Sequence, residues 1–168
     1  RERTIIINTV SKNFTMTGWR VGNIIAPADF IKVMTDVNVN VAFTVAAPTQ
    51  RAALAAYRTY KDFQPAMVEE YKKRVFYAAE RINALNKMHV LYPPKGAFYL
   101  FINIQDTGLT SMEVAEKILD EAHVLTLPGN AFGDCGEGFL RIACTCDCEE
   151  LGKAFDRIGA MDLFNPNK

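Results

Sequence analysis

The sequence predicts an α/β fold made of one whole small domain and a piece of a larger one. Three observations lead there. The β-branched and apolar runs "RTIIINTV" (3–10) and "GFLRIACTC" (138–146) have the length and composition of strands. Between them, residues 62–86 carry apolar side chains at three- and four-residue steps, the period of one face of a helix. From about Lys87 the pattern reads β-β-α-β-β-α, enough for a compact α/β sandwich, whereas the strands and helices before it are too few to close a sheet and cover both faces.

The elements follow in order. "RTIIINTV" is a continuous run of the kind buried on both faces of a sheet. "VGNIIAP" (21–27) is a second strand, closed by Pro27, and Asp29 opens a short helix over about 28–37. "AAPTQRAALAAYRTY" (46–60) is another helix, with Pro48 tolerated in its first turn. The segment 62–86 is a separate long helix: Pro65 fits its first turn, Met67, Val68, Tyr71, Val75, Ala78, Ala79, Ile82 and Leu85 share a face, and Glu69 and Lys73 form a favourably oriented pair on the other. "HVLYPP" (89–94) is a short strand. "GAFYLFINI" (96–104) is the next, with Ala97, Tyr99 and Phe101 facing one way and Phe98, Leu100 and Ile102 the other. Ser111, Glu113 and Val114 begin a helix to about Glu121, "HVLTLPG" (123–129) is a strand stopped by Pro128 and Gly129, and "GFLRIACTC" is the last strand. Asp147 and Glu150 resemble a capping box at the start of a final helix to about Met161.

Composition narrows the function classes. With 168 residues of which 49% are hydrophobic, the chain can build a core without disulfides or metal. Lys+Arg and Asp+Glu are both 19, so the basic excess of a nucleic-acid binder is missing. No apolar run approaches the roughly 20 residues needed to span a membrane. The first residues, "RERTIIIN", begin without Met, as in a processed or excised chain. Cys135, Cys144, Cys146 and Cys148 include a C-x-C-x-C run, but no C-x-x-C pair occurs and His89 and His123 lie apart from it, so small reduced thiols of a cytoplasmic protein are expected rather than a metal site. Cys144 and Cys146, two apart, are expected on one buried face of the last strand.

Chemistry concentrates in "SKNFTMTGWRVG" (11–22). Lys12 follows an apolar strand, at the end where open α/β sheets bind ligands. A lysine shielded from water and near another cation, here Arg20, is a usable amine nucleophile. Thr9 and Ser11 add hydroxyls, and Gly18 and Gly22 allow close backbone approach. Hydroxyls, a guanidinium and exposed backbone suit a phosphate. An incidental surface lysine remains the plain alternative. Arg141, alternating with Leu140 and Ile142, suits a bidentate carboxylate, of a substrate or of a structural Asp or Glu.

"NTVSKNFTMTGWRVGNIIAP" resembles the cofactor-lysine motif of the class I/II aminotransferases, the fold-type I pyridoxal-phosphate enzymes. "PKGAFYLFINI" is similar to their P-x-G-A-F-Y strand, and "LPGNAFGDCGEGFLRIACTCDCEELGKAFDRI" to the P-G-x-x-F-G block and last helix that follow it. The resemblance implies the C-terminal half of such an enzyme: residues 1–61 as a remnant of the large cofactor domain, 62–86 as a connecting helix, and 87–168 as the small C-terminal domain. It implies pyridoxal 5'-phosphate as cofactor, bound by Lys12 covalently and by Arg20 and Thr9 through its phosphate, with Thr9 where the family usually has serine. It implies that Arg141 holds the substrate carboxylate, that an L-amino acid and a 2-oxo acid exchange an amino group, and that the intact enzyme is a homodimer. The family's partner for the pyridine nitrogen, its ring-stacking aromatic and its Gly-rich turn belong to an N-terminal half that is missing here, so this chain alone is expected to be inactive. A C–S β-lyase of the same fold and a non-catalytic regulatory or interaction domain are the alternative readings. On this view residues 1–61 require completion, by an upstream chain or a second copy, or stay disordered, whereas the part from Lys87 folds alone.

Overall fold

The structure, a computed structural model, describes residues 2–165 and 167. The chain divides into two compact units, Arg1–Met67 and Val68–Lys168.

In the first unit, β1 (Ile6–Thr9) pairs antiparallel with β2 (Gly22–Ile25), in register from Ile6↔Ile25 to Thr9↔Gly22. The connection between them holds α1 (Val10–Asn13) and a 3₁₀ turn at Thr17–Trp19. The expected strand over 3–10, buried on both faces, is thus shorter and lies open: all four residues of β1 are exposed, Ile7 at 76%. A two-stranded ribbon has no sheet neighbours to cover it. The strand stops at Thr9 because its side chain accepts a hydrogen bond from Ser11 N and caps α1, which turns Val10 into the core. Helix α2 (Ala28–Val41) runs a turn beyond its expected end and buries none of its residues. The core of this unit is small: Val10, Phe14, Ala53 and Ala56, with Met16, Val21 and Phe63 against them.

Helix α3 (Ala47–Asn83) is one element of 37 residues, where the sequence suggested two helices. Pro48 does sit in the first turn, but Pro65 is interior. Breaking the helix near Lys61 would leave about four N–H and four C=O groups without partners. Pro65 removes a single hydrogen bond, so continuation costs less. On the exposed face Glu69 pairs with Lys72 at 3.4 Å, and Arg74 with Glu70 at 2.8 Å.

In the second unit, β3 (Tyr99–Asn103), β4 (Leu127–Pro128) and β5 (Phe139–Ala143) form an antiparallel sheet in the order β3-β5-β4. Leu100 opposes Ile142 and Ile102 opposes Leu140, and all four point into the core. Val114 and Ile118 of α4 (Ser111–Ala122), Leu151, Phe155 and Ile158 of α5 (Cys148–Ala160), and Val75, Ala78, Ala79 and Ile82 of α3 complete it. Thr110 and Glu113 form a full capping box on α4, and Asp147 accepts from Glu150 N to cap α5. "HVLYPP" is not a strand. It makes a single bridge, His89↔Asn103, after which Pro93 and Pro94 offer no N–H to a ladder and Leu91 and Tyr92 are exposed. Among the described residues no helix is long and apolar enough to cross a membrane.

Candidate active site

The ribbon brings three of the four singled-out residues onto one connection. Thr9 ends β1, Lys12 lies in α1, and Arg20 follows the 3₁₀ turn. The connection is closed at its base by Thr9↔Gly22 pairing and by Val10 N donating to Val21 O at 3.4 Å. Thr9 Oγ1 donates to Ser11 Oγ at 2.9 Å, so the two hydroxyls are adjacent. Lys12 is exposed, the third residue of a short helix rather than at a buried strand end. Arg20 is also exposed; its Nη1 donates to Thr17 O at 2.7 Å. Its backbone is left-handed at φ 50°, a conformation costing an L-residue roughly 1–2 kcal/mol. Of the two motif glycines, Gly22 has a steric reason: a Cβ there would fall on the Asn8 carbonyl oxygen across the ribbon. Gly18 has open space around it.

Helix α3 fixes this connection from one side. Phe14 meets the rings of Tyr57 and Phe63 edge-on at 5.2 and 5.9 Å. Gln64 Nε2 donates to the Asn13 carbonyl at 3.3 Å, at the end of the turn that carries Lys12. Tyr57 OH donates to Asn23 Oδ1 at 3.2 Å on β2. A primary amine, two touching hydroxyls and a guanidinium on one braced loop form a donor set that fits a phosphorylated aldehyde: the amine for the carbonyl carbon, the rest for the phosphate.

Arg141 belongs to the other unit. It is half-buried in β5, the central strand, on the sheet face opposite the core. Its register partners are Phe101 on β3 and Leu127 on β4. The guanidinium carbon lies 4.4 Å from the ring centre of Tyr99 and 4.4 Å from that of Phe132. Among the described residues no carboxylate pairs with it, so the structural salt bridge that would explain such an arginine is not made. The loop bearing Phe132 is held tightly. Gly129 and Gly136 approach so closely that a Cβ on either would strike the other's carbonyl oxygen. Glu137 accepts from Ser111 N at 2.6 Å, Ser111 Oγ at 2.9 Å and Gly138 N at 3.0 Å. The bonds from Ser111, then that from Gly138, hold its carboxyl below the usual carboxylate range.

The chain matches the family model for aminotransferases of class I and II over residues 1–158. It belongs to that family. It is 40% identical to the aspartate aminotransferase of Pyrococcus horikoshii over 159 residues, 94% of this chain and 40% of that protein. It is 36% identical to the probable N-acetyl-LL-diaminopimelate aminotransferase of Bacillus subtilis over 164 residues, 98% of this chain and 40% of that one. The crystal structure of an aromatic aminotransferase from Pyrococcus horikoshii superposes with a TM-score of 0.84 at 40% identity, covering 94% of this chain and 42% of that one. The fold is therefore that of part of a fold-type I aminotransferase, and the chain spans about 40% of the length of the curated relatives it matches.

Within this aminotransferase chain, sequence reasoning missed the two rings on Arg141. Tyr99 lies in the "GAFY" run, but its role shows only when β3 is set against β5. Phe132 ends a short 3₁₀ turn in the loop before β5, where no period links it to a residue nine positions on. Glu137 was likewise invisible, because its partners are on α4.

Proposed function

We propose that this chain is the portion of a pyridoxal-phosphate-dependent aminotransferase, of the aspartate or aromatic type, that supplies the cofactor lysine and the substrate-carboxylate arginine. The observation that carries the reading is the donor set on the connection between β1 and β2: amine, paired hydroxyls and guanidinium. Relatives named for aspartate, aromatic amino acids and diaminopimelate all fit an exchange of an amino group between an L-amino acid and a 2-oxo acid. The intact protein is proposed to work as a homodimer, and this chain alone to show no turnover.

Each residue has a definite task in this reading. Thr9 and Arg20 hold the phosphate by charge-assisted hydrogen bonds. Lys12 would hold the cofactor through its carbonyl carbon and, as a free amine, would take the proton from the substrate Cα as a general base and return it as an acid. Arg141 holds the substrate carboxylate with its planar fork. Pyridoxal phosphate, when bound, supplies the carbonyl carbon and a ring that accepts the electron pair left at Cα.

The test is chemical. The chain is incubated with pyridoxal phosphate, reduced with borohydride and mapped by peptide mass. Lys12 is expected to be labelled at lower cofactor concentration than any other lysine. Arg20→Ala is expected to raise the concentration needed about tenfold or more, the loss of one charged hydrogen bond of roughly 1.5–3 kcal/mol. Labelling of Lys12 no better than of the other lysines would overturn the assignment.

A further inference from the structure

We propose that Phe132 and Tyr99 are positioning residues for Arg141: the two rings hold the guanidinium by its faces and leave its edge to a planar carboxylate. The proposal rests on the reading of Arg141 as the carboxylate binder and adds what makes it selective. Two ring centres each lie 4.4 Å from the same carbon. Tyr99 meets the ring of Phe98 and Phe132 that of Phe101, but among the described residues they make no ring contact with each other. Each ring therefore meets the guanidinium carbon separately. In the proposed clamp the guanidinium lies as a plate between the two rings. Its N–H donors all lie in its own plane, so a ligand reaches them only edge-on.

The clamp is itself braced. Phe132 meets Phe101 edge-on at 6.3 Å, and Phe101 stacks on Phe139 at 5.0 Å with the rings 9° from parallel. The interlocked Gly129 and Gly136 and the anchored Glu137 fix the loop that carries Phe132. Aromatic faces offer the cation a weak, non-competing partner, whereas a carboxylate in the same place would neutralise it and occupy the fork. A half-buried arginine is thus oriented, and among the described residues no carboxylate occupies its in-plane donors. A flat carboxylate matches two parallel N–H bonds within that plane; a tetrahedral oxyanion spreads its oxygens out of it, toward the rings.

The side-chain Nε–Hε resonance of Arg141 in the full 168-residue chain reports the site directly. Pyruvate serves as the carboxylate probe and inorganic sulfate as the tetrahedral control. The Arg141 resonance is expected upfield of an ordinary arginine through the currents of both rings, to move saturably with pyruvate, and to respond at least several-fold more weakly to sulfate. Phe132→Leu is expected to abolish part of the upfield shift and raise the pyruvate Kd about three- to tenfold, the size of one cation–π contact, with the backbone amides of β3 and β5 unmoved. Phe132→Tyr is expected to restore both. A wild-type resonance that ignores pyruvate overturns the carboxylate reading and the proposal with it. A wild-type response that Phe132→Leu leaves unchanged overturns the clamp alone, as does a sulfate response equal to that of pyruvate.

Discussion

Cys144 and Cys146 stand two apart, yet the chain treats them differently. Cys144 is fully buried just past the end of β5, and burial, with a smaller effect of Cys146, raises its thiol to about 11. Cys146 is exposed, against the expectation that both lie on one buried face. The strand alternation used to place them lapses at Ala143, where β5 ends; Thr145 instead offers its carbonyl to Arg74 Nη1 at 2.7 Å. Alkylation of the folded chain at about pH 8, mapped by mass, is expected to modify Cys135 and Cys146 and to leave Cys144 intact until denaturant is added; labelling of Cys144 at the rate of Cys146 would contradict its burial. The site was legible at this scale as far as single residues with local neighbours allow. Lys12, Thr9 and Arg20 fall within one short run, so a motif could find them, and Arg141 stood out as a cation among apolar strand residues. Its aromatic partners come from a neighbouring strand and a loop, and only tertiary structure brings them to it.

At the scale of elements, periodicity placed β3, α4, β5 and α5 well, since each has one buried face and one open face, and caps such as Asp147 mark the starts. It failed where an ending depended on comparison. Pro65 looks like a start if helix breaks are free, and like an interior residue once eight stranded backbone groups are weighed against one lost bond. "HVLYPP" looks like a strand until its prolines meet the ladder they cannot join. The loop before β5 shows how one side chain can tie two elements together. Glu137 links the N-terminus of α4 to Gly138 through hydrogen bonds that favour the carboxylate form. Its folded pKa lies below the ordinary 4.5. Its stabilising effect is therefore fully present above that value and is lost as pH falls through the lower, folded value. Denaturant unfolding from pH 7 down to about pH 3 is expected to show the stability gap between the wild type and Glu137→Gln narrowing in that acid range. Glu113, whose pKa Thr110 also lowers, is common to both proteins, and the loss of the Glu137 charge, the last of the causes acting on it, would lower it a little further in the variant. A gap that is constant with pH would mean that the charge of Glu137 contributes nothing.

For the whole molecule, the core of the second unit draws Val75, Ala78, Ala79 and Ile82 from α3. A cut at Lys87, where the sequence pattern changes, would strip all four away. Burial of Val75 and Ile82 alone contributes about 2 kcal/mol each, against a total of about 5–15 kcal/mol for a domain. A fragment of residues 68–168 is expected to melt cooperatively by circular dichroism, and one of residues 87–168 to melt without a sharp transition or to bind a hydrophobic dye when cold. Equal melting of the two would show the helix to be dispensable. The first unit differs in kind: Ile5, Ile6, Ile7, Ile25, Val33, Val37, Val41 and Phe43 are exposed around a core of four buried residues. In a ribbon of two strands, each strand is an edge with a row of backbone donors and acceptors free to pair with another chain. The chain also has formal net charge 0 at pH 7 and a pI near 6.9, so near neutrality no long-range repulsion keeps two such edges apart. The colloidal behaviour follows from that coincidence. Solubility should reach its minimum at ordinary buffer pH, and the concentration at which light scattering begins to rise should climb on moving a unit or more to either side.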